Sequence, residues 1–132
     1  MPIKVITLEL ARNPGAPSGD PDHGYIFRAP LDAKGNFDRF QWAAAKQLCT
    51  VRRIEKGAEV EAGLLVLNRR GKWVFSYARG DEDDETLFRL ANHRFMPGDY
   101  VAVTEHDGVE RTFKVRSVAD WHPDRAAAAC AS

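Results

Sequence analysis

Asp20, Asp22 and His23 fall within four consecutive positions of the proline- and glycine-rich segment 13–24. Two carboxylates beside an imidazole can supply an acid, a base and an orienting group, provided the segment folds over a pocket. A solvated loop is the plainer expectation, because three prolines remove backbone donors and three glycines add conformational entropy. A hydrolase with its site on the 13–24 loop therefore stands as an alternative and not as the main expectation. No Gly-x-Ser-x-Gly elbow, phosphate-binding loop or dinucleotide fingerprint occurs, so no catalytic residues are assigned from motif.

Metal chemistry finds little support in the spacing. Asp81 to Glu85 is an unbroken acidic run, but consecutive carboxylates point in different directions and lack the alternating order of a calcium loop. His23, His93, His106 and His122 are scattered, and Cys49 and Cys130 form no Cys-x-x-Cys. The expectation is a protein without metal, cofactor or disulfide. Cys49 reads as a small core thiol on the apolar face of a helix.

Trp73, Phe75 and Tyr77 form an aromatic stripe flanked by Arg69, Arg70, Lys72 and Arg79. Rings interleaved with cations suit single-stranded nucleic acid, where bases stack and arginine tracks phosphate. Core packing is the stronger reading of these rings. Arg52, Arg53, Arg69, Arg70, Lys72 and Trp73 are the candidate binding residues.

Charge gives a second clue. The 132 residues carry 19 basic and 19 acidic side chains, which argues against a strongly basic nucleic-acid binder. The distribution is uneven: residues 46–79 hold eight basic and three acidic groups, a balance of +5, and residues 80–110 hold two and nine, a balance of −7. Opposite potentials on one body would favour an oriented partner or self-association.

The elements that position these groups read mainly as strands. Residues 3–10 alternate so that Ile6, Leu8 and Leu10 share a face, and Tyr25 to Ala29 forms a second strand closed by Pro30. One helix starts at Asp38, with Gln41 three residues on and Phe37 and Trp42 placed as a hydrophobic staple. Its apolar side would comprise Phe40, Trp42, Ala44, Ala45, Leu48 and Cys49. Thr50 to Lys56 is a weakly specified strand ended by Gly57.

Two hairpins follow. Leu64 to Arg69 and Lys72 to Arg79 flank Arg70-Gly71, which places Leu64, Val66 and Asn68 with Trp73, Phe75 and Tyr77. Tyr100 to His106 and Val109 to Val118 flank Asp107-Gly108, read as a type I′ turn, which places Tyr100 and Ala102 with Phe113 and Val115. Thr86 to Phe95 carries both periods, Leu87, Leu90 and Ala91 suiting a helix and Phe88 and Leu90 a strand, and is read as a strand.

Phe95-Met96-Pro97-Gly98-Asp99-Tyr100-Val101 resembles the turn-and-strand opening of the flavin-binding barrel in ferredoxin-reductase-like proteins. The resemblance spans seven residues, and the Arg-x-Tyr-Ser/Thr motif of those proteins is missing, since Phe75 precedes and Ala78 follows Tyr77. It implies no flavin here.

The expected fold is β-rich α+β: a curved antiparallel sheet or small partly open barrel of six to eight strands with one packed helix, over residues 1–122, followed by a flexible tail at 123–132. The N-terminus lacks a signal-peptide pattern and no apolar run approaches a membrane span, so a cytoplasmic protein is expected. The leading functional expectation is a non-catalytic binding module acting on an unknown protein partner or on a second copy of itself. Single-stranded nucleic acid ranks second.

Overall fold

Inward and outward positions alternate along nearly every strand, which gives the sheet one apolar face to bury. The computed structural model describes residues 3–77, 85–87 and 94–122. Its eight antiparallel strands are β1 (Ile3–Leu10), β2 (Asp20–Pro30), β3 (Thr50–Glu55), β4 (Ala58–Leu67), β5 (Trp73–Tyr77), β6 (Glu85–Leu87), β7 (Tyr100–Thr104) and β8 (Glu110–Asp120). Each pairs with the next, and β8 returns to β1, so the expected partly open barrel is closed. Closure satisfies the backbone donors and acceptors that an edge strand would leave bare.

Ile6, Leu8 and Leu10 of β1 point inward as their alternation predicts, meeting Tyr25, Phe27 and Ala29 of β2 in the buried core. Tyr25 lies 5.0 Å from Phe75 and 5.2 Å from Phe113 between ring centroids, and Phe27 lies 5.1 Å from Phe75. An eight-stranded barrel is just wide enough for side chains to fill it, and these rings do so.

The helix α1 (Arg39–Ala44) sits in the β2–β3 connection and is followed by a single 3₁₀ turn at Lys46–Leu48. Asp38 caps it, its carboxylate accepting from the Gln41 backbone N–H at 3.1 Å. Phe37 and Trp42 are buried, but they meet through Trp73, whose ring lies 4.8 Å from Phe37 and 4.6 Å from Trp42. The indole Nε1–H of Trp42 donates to the Leu65 carbonyl at 2.9 Å, which ties the helix to β4. Phe40, Ala44 and Leu48 correct the expected helix face: Phe40 is 87 % exposed, and Ala44 and Leu48 are exposed as well, because α1 ends after six residues with only Trp42 reaching the barrel, while Leu48 lies in the 3₁₀ turn and the buried Cys49 just after it.

Both hairpin registers differ from expectation by one residue. Leu65 pairs with Phe75 and Leu67 with Trp73, so Leu65 and Leu67, not Leu64 and Val66, share the inner face with the aromatic stripe. Val101 pairs with Phe113 and Tyr100 with Lys114, so Val101 and Val103 are buried while Tyr100 is 58 % exposed.

One cause explains both. The loops Arg69-Arg70-Gly71 and His106-Asp107-Gly108 each contain three residues, with glycine in the left-handed region at φ 75° and 80°. Gly71 N–H donates to the Asn68 carbonyl and Gly108 N–H to the Glu105 carbonyl, as in a turn followed by a glycine bulge. A one-residue slip moves every side chain of a strand to the other face. The two-residue turn with both φ values positive is Lys56-Gly57, at 53° and 78°, between β3 and β4.

Gly108→Val will therefore destabilise the protein by about 1–2 kcal/mol, the usual cost of a left-handed conformation for a residue with a side chain. No atom lies within 4 Å of a Cβ at this position, so the strain is that of the backbone alone. A denaturation midpoint equal to that of the parent would remove the bulged turn.

The segment 13–24 is not wholly a loop: β2 begins at Asp20, leaving a short connection in which Asn13 and Ala16 exchange backbone hydrogen bonds. Of the strand expected over Thr86 to Phe95, only Thr86 and Leu87 lie in a strand, β6; Arg94 makes an isolated bridge to Asn36 and Phe95 is in no strand, while positions 88–93, the acidic positions 81–84, Arg79 and the tail at 123–132 lie outside the described residues. No helix among the described residues is long and apolar enough to cross a membrane.

Candidate functional site

The β1–β2, β3–β4 and β7–β8 connections gather at one end of the barrel, while α1 and the β4–β5 loop lie at the other. At the first end the apolar filling gives way to ionisable groups. Glu85 on β6 pairs across from Phe75 and is fully buried, and Glu105, the residue after β7 has ended, is 2 % exposed. Burying two carboxylates costs several kcal/mol each unless donors replace water.

Those donors are present. Tyr77 Oη–H donates to Glu85 Oε1 at 2.6 Å, and the His106 backbone N–H donates to Glu85 Oε2 at 3.0 Å. Arg53 Nη1 lies 3.7 Å from Glu85 Oε2 and also meets His106 Nδ1. Glu105 receives His23 Nε2 at 3.0 Å on Oε2 and Arg111 Nη1 at 2.9 Å on Oε1. Tyr25 stands between the carboxylates, with its hydroxyl 2.6 Å from Glu105 Oε2 and 2.9 Å from Glu85 Oε2. A phenol has one proton, so Tyr25 serves one carboxylate at a time.

Burial, then the charges of Glu85 and Glu105, hold the Tyr25 hydroxyl far above the usual phenol range, keeping it a neutral donor. Burial acts likewise on Tyr77, reinforced by Glu85. For Glu105 burial pushes upward, but hydrogen bonds from His23 and Tyr25 and the charges of His23 and Arg111 outweigh it, and the carboxyl stays below its ordinary value. The hydrogen bond to Glu105 raises His23, burial opposes it, and the charges of Glu105 and Glu55 add to the rise.

This pair sets a pH dependence. A raised His23 contributes stability that is complete below its unfolded value, about 6.5, and is lost as pH rises through the folded value. A lowered Glu105 contributes stability that is complete above its unfolded value, about 4.3, and is lost as pH falls through the folded value. The pair thus stabilises most between about pH 4.3 and 6.5. Denaturation midpoints of the parent should fall more steeply above pH 6.5 than those of His23→Asn, and parallel curves would remove the assigned coupling.

The network is closed on the inside and open on the outside. His23, Glu105, Arg111, His106 and Asp107 line a cleft of about 730 Å³ whose wall is the connection from Asn13 to Asp20, with Glu55 at its rim. The His23 side chain is 23 % exposed there and that of Glu105 only 1 %, so the imidazole is the group of that pair the cleft reaches. Arg111 also bonds Asp107, its Nη1 lying 3.0 Å from Oδ1, which fixes the guanidinium between two carboxylates. No His/Cys/Asp/Glu cluster suited to a metal ion occurs among the described residues.

The structure therefore joins His23 to partners other than Asp20 and Asp22. Asp20 lines the cleft but spends Oδ1 on the Asp22 backbone N–H at 2.9 Å, and Asp22 is exposed. Glu105 takes the orienting place that the sequence offered to the aspartates.

The six binding candidates separate. Arg52 faces outward, with its Nε 3.7 Å from Glu59, and Arg69, Arg70 and Lys72 are exposed on the β4–β5 loop. Arg53 and Trp73 are interior, the first beside Glu85 and the second against Phe37 and Trp42. Cys49 is fully buried and desolvation pushes its thiol up to about 11. Glu85, Tyr25, Glu105 and Arg111 escaped the sequence reading, although Val101-x-Val103-x-Glu105 continues one face of β7 and was a usable signal.

An eight-stranded up-and-down barrel with a polar site at one mouth is the class these observations define. No known family model, characterised protein or solved structure matches the chain.

Proposed function

We propose that the chain is a binding barrel for a small polar molecule, held in the cleft above His23, Glu105 and Arg111. The observation that carries this reading is Glu105, nearly inaccessible yet held by three side-chain donors directly beneath an open cleft. Converging polar groups in a concavity are the usual mark of a ligand site.

Macromolecular partners find less support. Trp73 and Arg53 are interior, so the exposed cations Arg52, Arg69, Arg70 and Lys72 have no ring from that stripe to stack a base upon. Ligand-observed NMR with a library of small polar fragments tests the reading. Hits should compete with one another and be lost in Ser18→Trp, which fills the cleft from its exposed wall, while Arg69→Glu with Arg70→Glu leaves them unchanged. Hits insensitive to Ser18→Trp, or an absence of hits, would overturn it.

A further inference from the structure

We propose that the cleft is a hydrolytic centre in which His23 is the general base and water the nucleophile, acting on a small carboxylic ester. The inference rests on the cleft being a ligand site and adds a reaction to it.

The imidazole uses Nε2 on Glu105, and Nδ1 has no partner among the described residues. A buried carboxylate on one ring nitrogen fixes the tautomer, since Nε2 keeps its proton and Nδ1 carries the lone pair once the ring is neutral. Phe113 supports the ring at 5.8 Å between centroids. Glu105 cannot swing away, because Arg111 holds Oε1 while Tyr25 and His23 share Oε2. Glu105, Tyr25 and Arg111 are thus positioning residues, and Glu105 also stabilises the imidazolium formed when His23 takes a proton.

The nucleophile follows from what surrounds the imidazole. Ser18 lines the cleft without a hydrogen bond to His23 among the described residues, and Cys49 is buried in the core. Water enters an open cleft freely. In the first step Nδ1 removes a proton from water as its oxygen bonds to the ester carbonyl carbon and the carbonyl π pair moves onto the carbonyl oxygen. In the second that pair re-forms the carbonyl as the carbon–oxygen bond to the leaving group breaks, and Nδ1–H returns the proton to the departing alkoxide. One water is consumed, an acid and an alcohol are formed, and His23 ends neutral as it began.

The full chain is assayed with p-nitrophenyl acetate across pH. The rate should rise with pH to a plateau, with its midpoint equal to the His23 imidazole midpoint followed by NMR. His23→Asn should lose at least about tenfold at the plateau, a modest demand on a general base. Glu105→Gln should move the kinetic midpoint to lower pH as well as reduce the plateau, which a merely structural residue would not do. A rate unchanged in His23→Asn overturns the proposal. Should that variant not fold, a kinetic midpoint in the parent that differs from the NMR midpoint of His23 overturns it equally. Fragment binding in the cleft without turnover removes the reaction and leaves the binding reading, whereas an absence of both removes the two together.

Discussion

Glu85→Ala will lower the unfolding free energy by about 3–5 kcal/mol, the range seen when one member of a buried ion pair is removed. The substitution leaves Arg53 buried beside no carboxylate at that position and removes the acceptor of the Tyr77 hydroxyl and the His106 N–H. Glu85→Gln should cost less, because an amide oxygen still accepts from Tyr77. The double variant Glu85→Leu with Arg53→Met should recover much of the loss, since two apolar residues leave no charge stranded. Urea denaturation of the three proteins decides the matter. A loss under 1 kcal/mol for Glu85→Ala would mean that water enters this end of the barrel and that the pair is not truly buried.

Trp73→Ala carries the second large effect, about 3–5 kcal/mol for a buried aromatic in a packed cluster. Its ring is the shared contact of Phe37 and Trp42, so the variant should also loosen α1 and red-shift the emission of Trp42. The same variant separates core packing from base stacking. If Trp73→Ala kept the parental midpoint and weakened an oligonucleotide complex, the ring would belong to a surface platform.

Much of the architecture was legible because period-two patterning acts locally. Ile6, Leu8 and Leu10 announce the inner face of β1, and Asp38 with Gln41 announces the start of α1. Register was harder, because it depends on how many residues a turn consumes, and Arg70-Gly71 and Asp107-Gly108 have the composition of a two-residue turn while serving as the end of a three-residue one. The slip concealed the site as well. With Tyr100 and Ala102 placed inside, Glu105 falls on the solvent face, and Glu85 disappears into an acidic run that composition alone reads as hydrated. The partners of Glu105 lie 6 to 82 residues away along the chain, and only closure of the barrel brings them together.

Seven of the eight strand ladders join neighbours in sequence, and only the β1–β8 ladder, from Lys4 opposite Asp120 to Leu10 opposite Phe113, closes the circle over more than one hundred residues. Hairpins form on a microsecond scale, whereas a contact of such separation first requires the chain entropy of a long loop. This seam is therefore the ladder whose formation costs the most chain entropy. Leu10, Asn13 and Arg111 at its upper end all line the cleft. Asn13 works there as a clasp, its side-chain amide donating to the Thr112 carbonyl at 2.9 Å and its Oδ1 accepting from the Thr112 N–H at 3.0 Å. One asparagine thus ties the connection that walls the cleft to the last strand of the barrel, so the cleft wall and the closing seam share two hydrogen bonds.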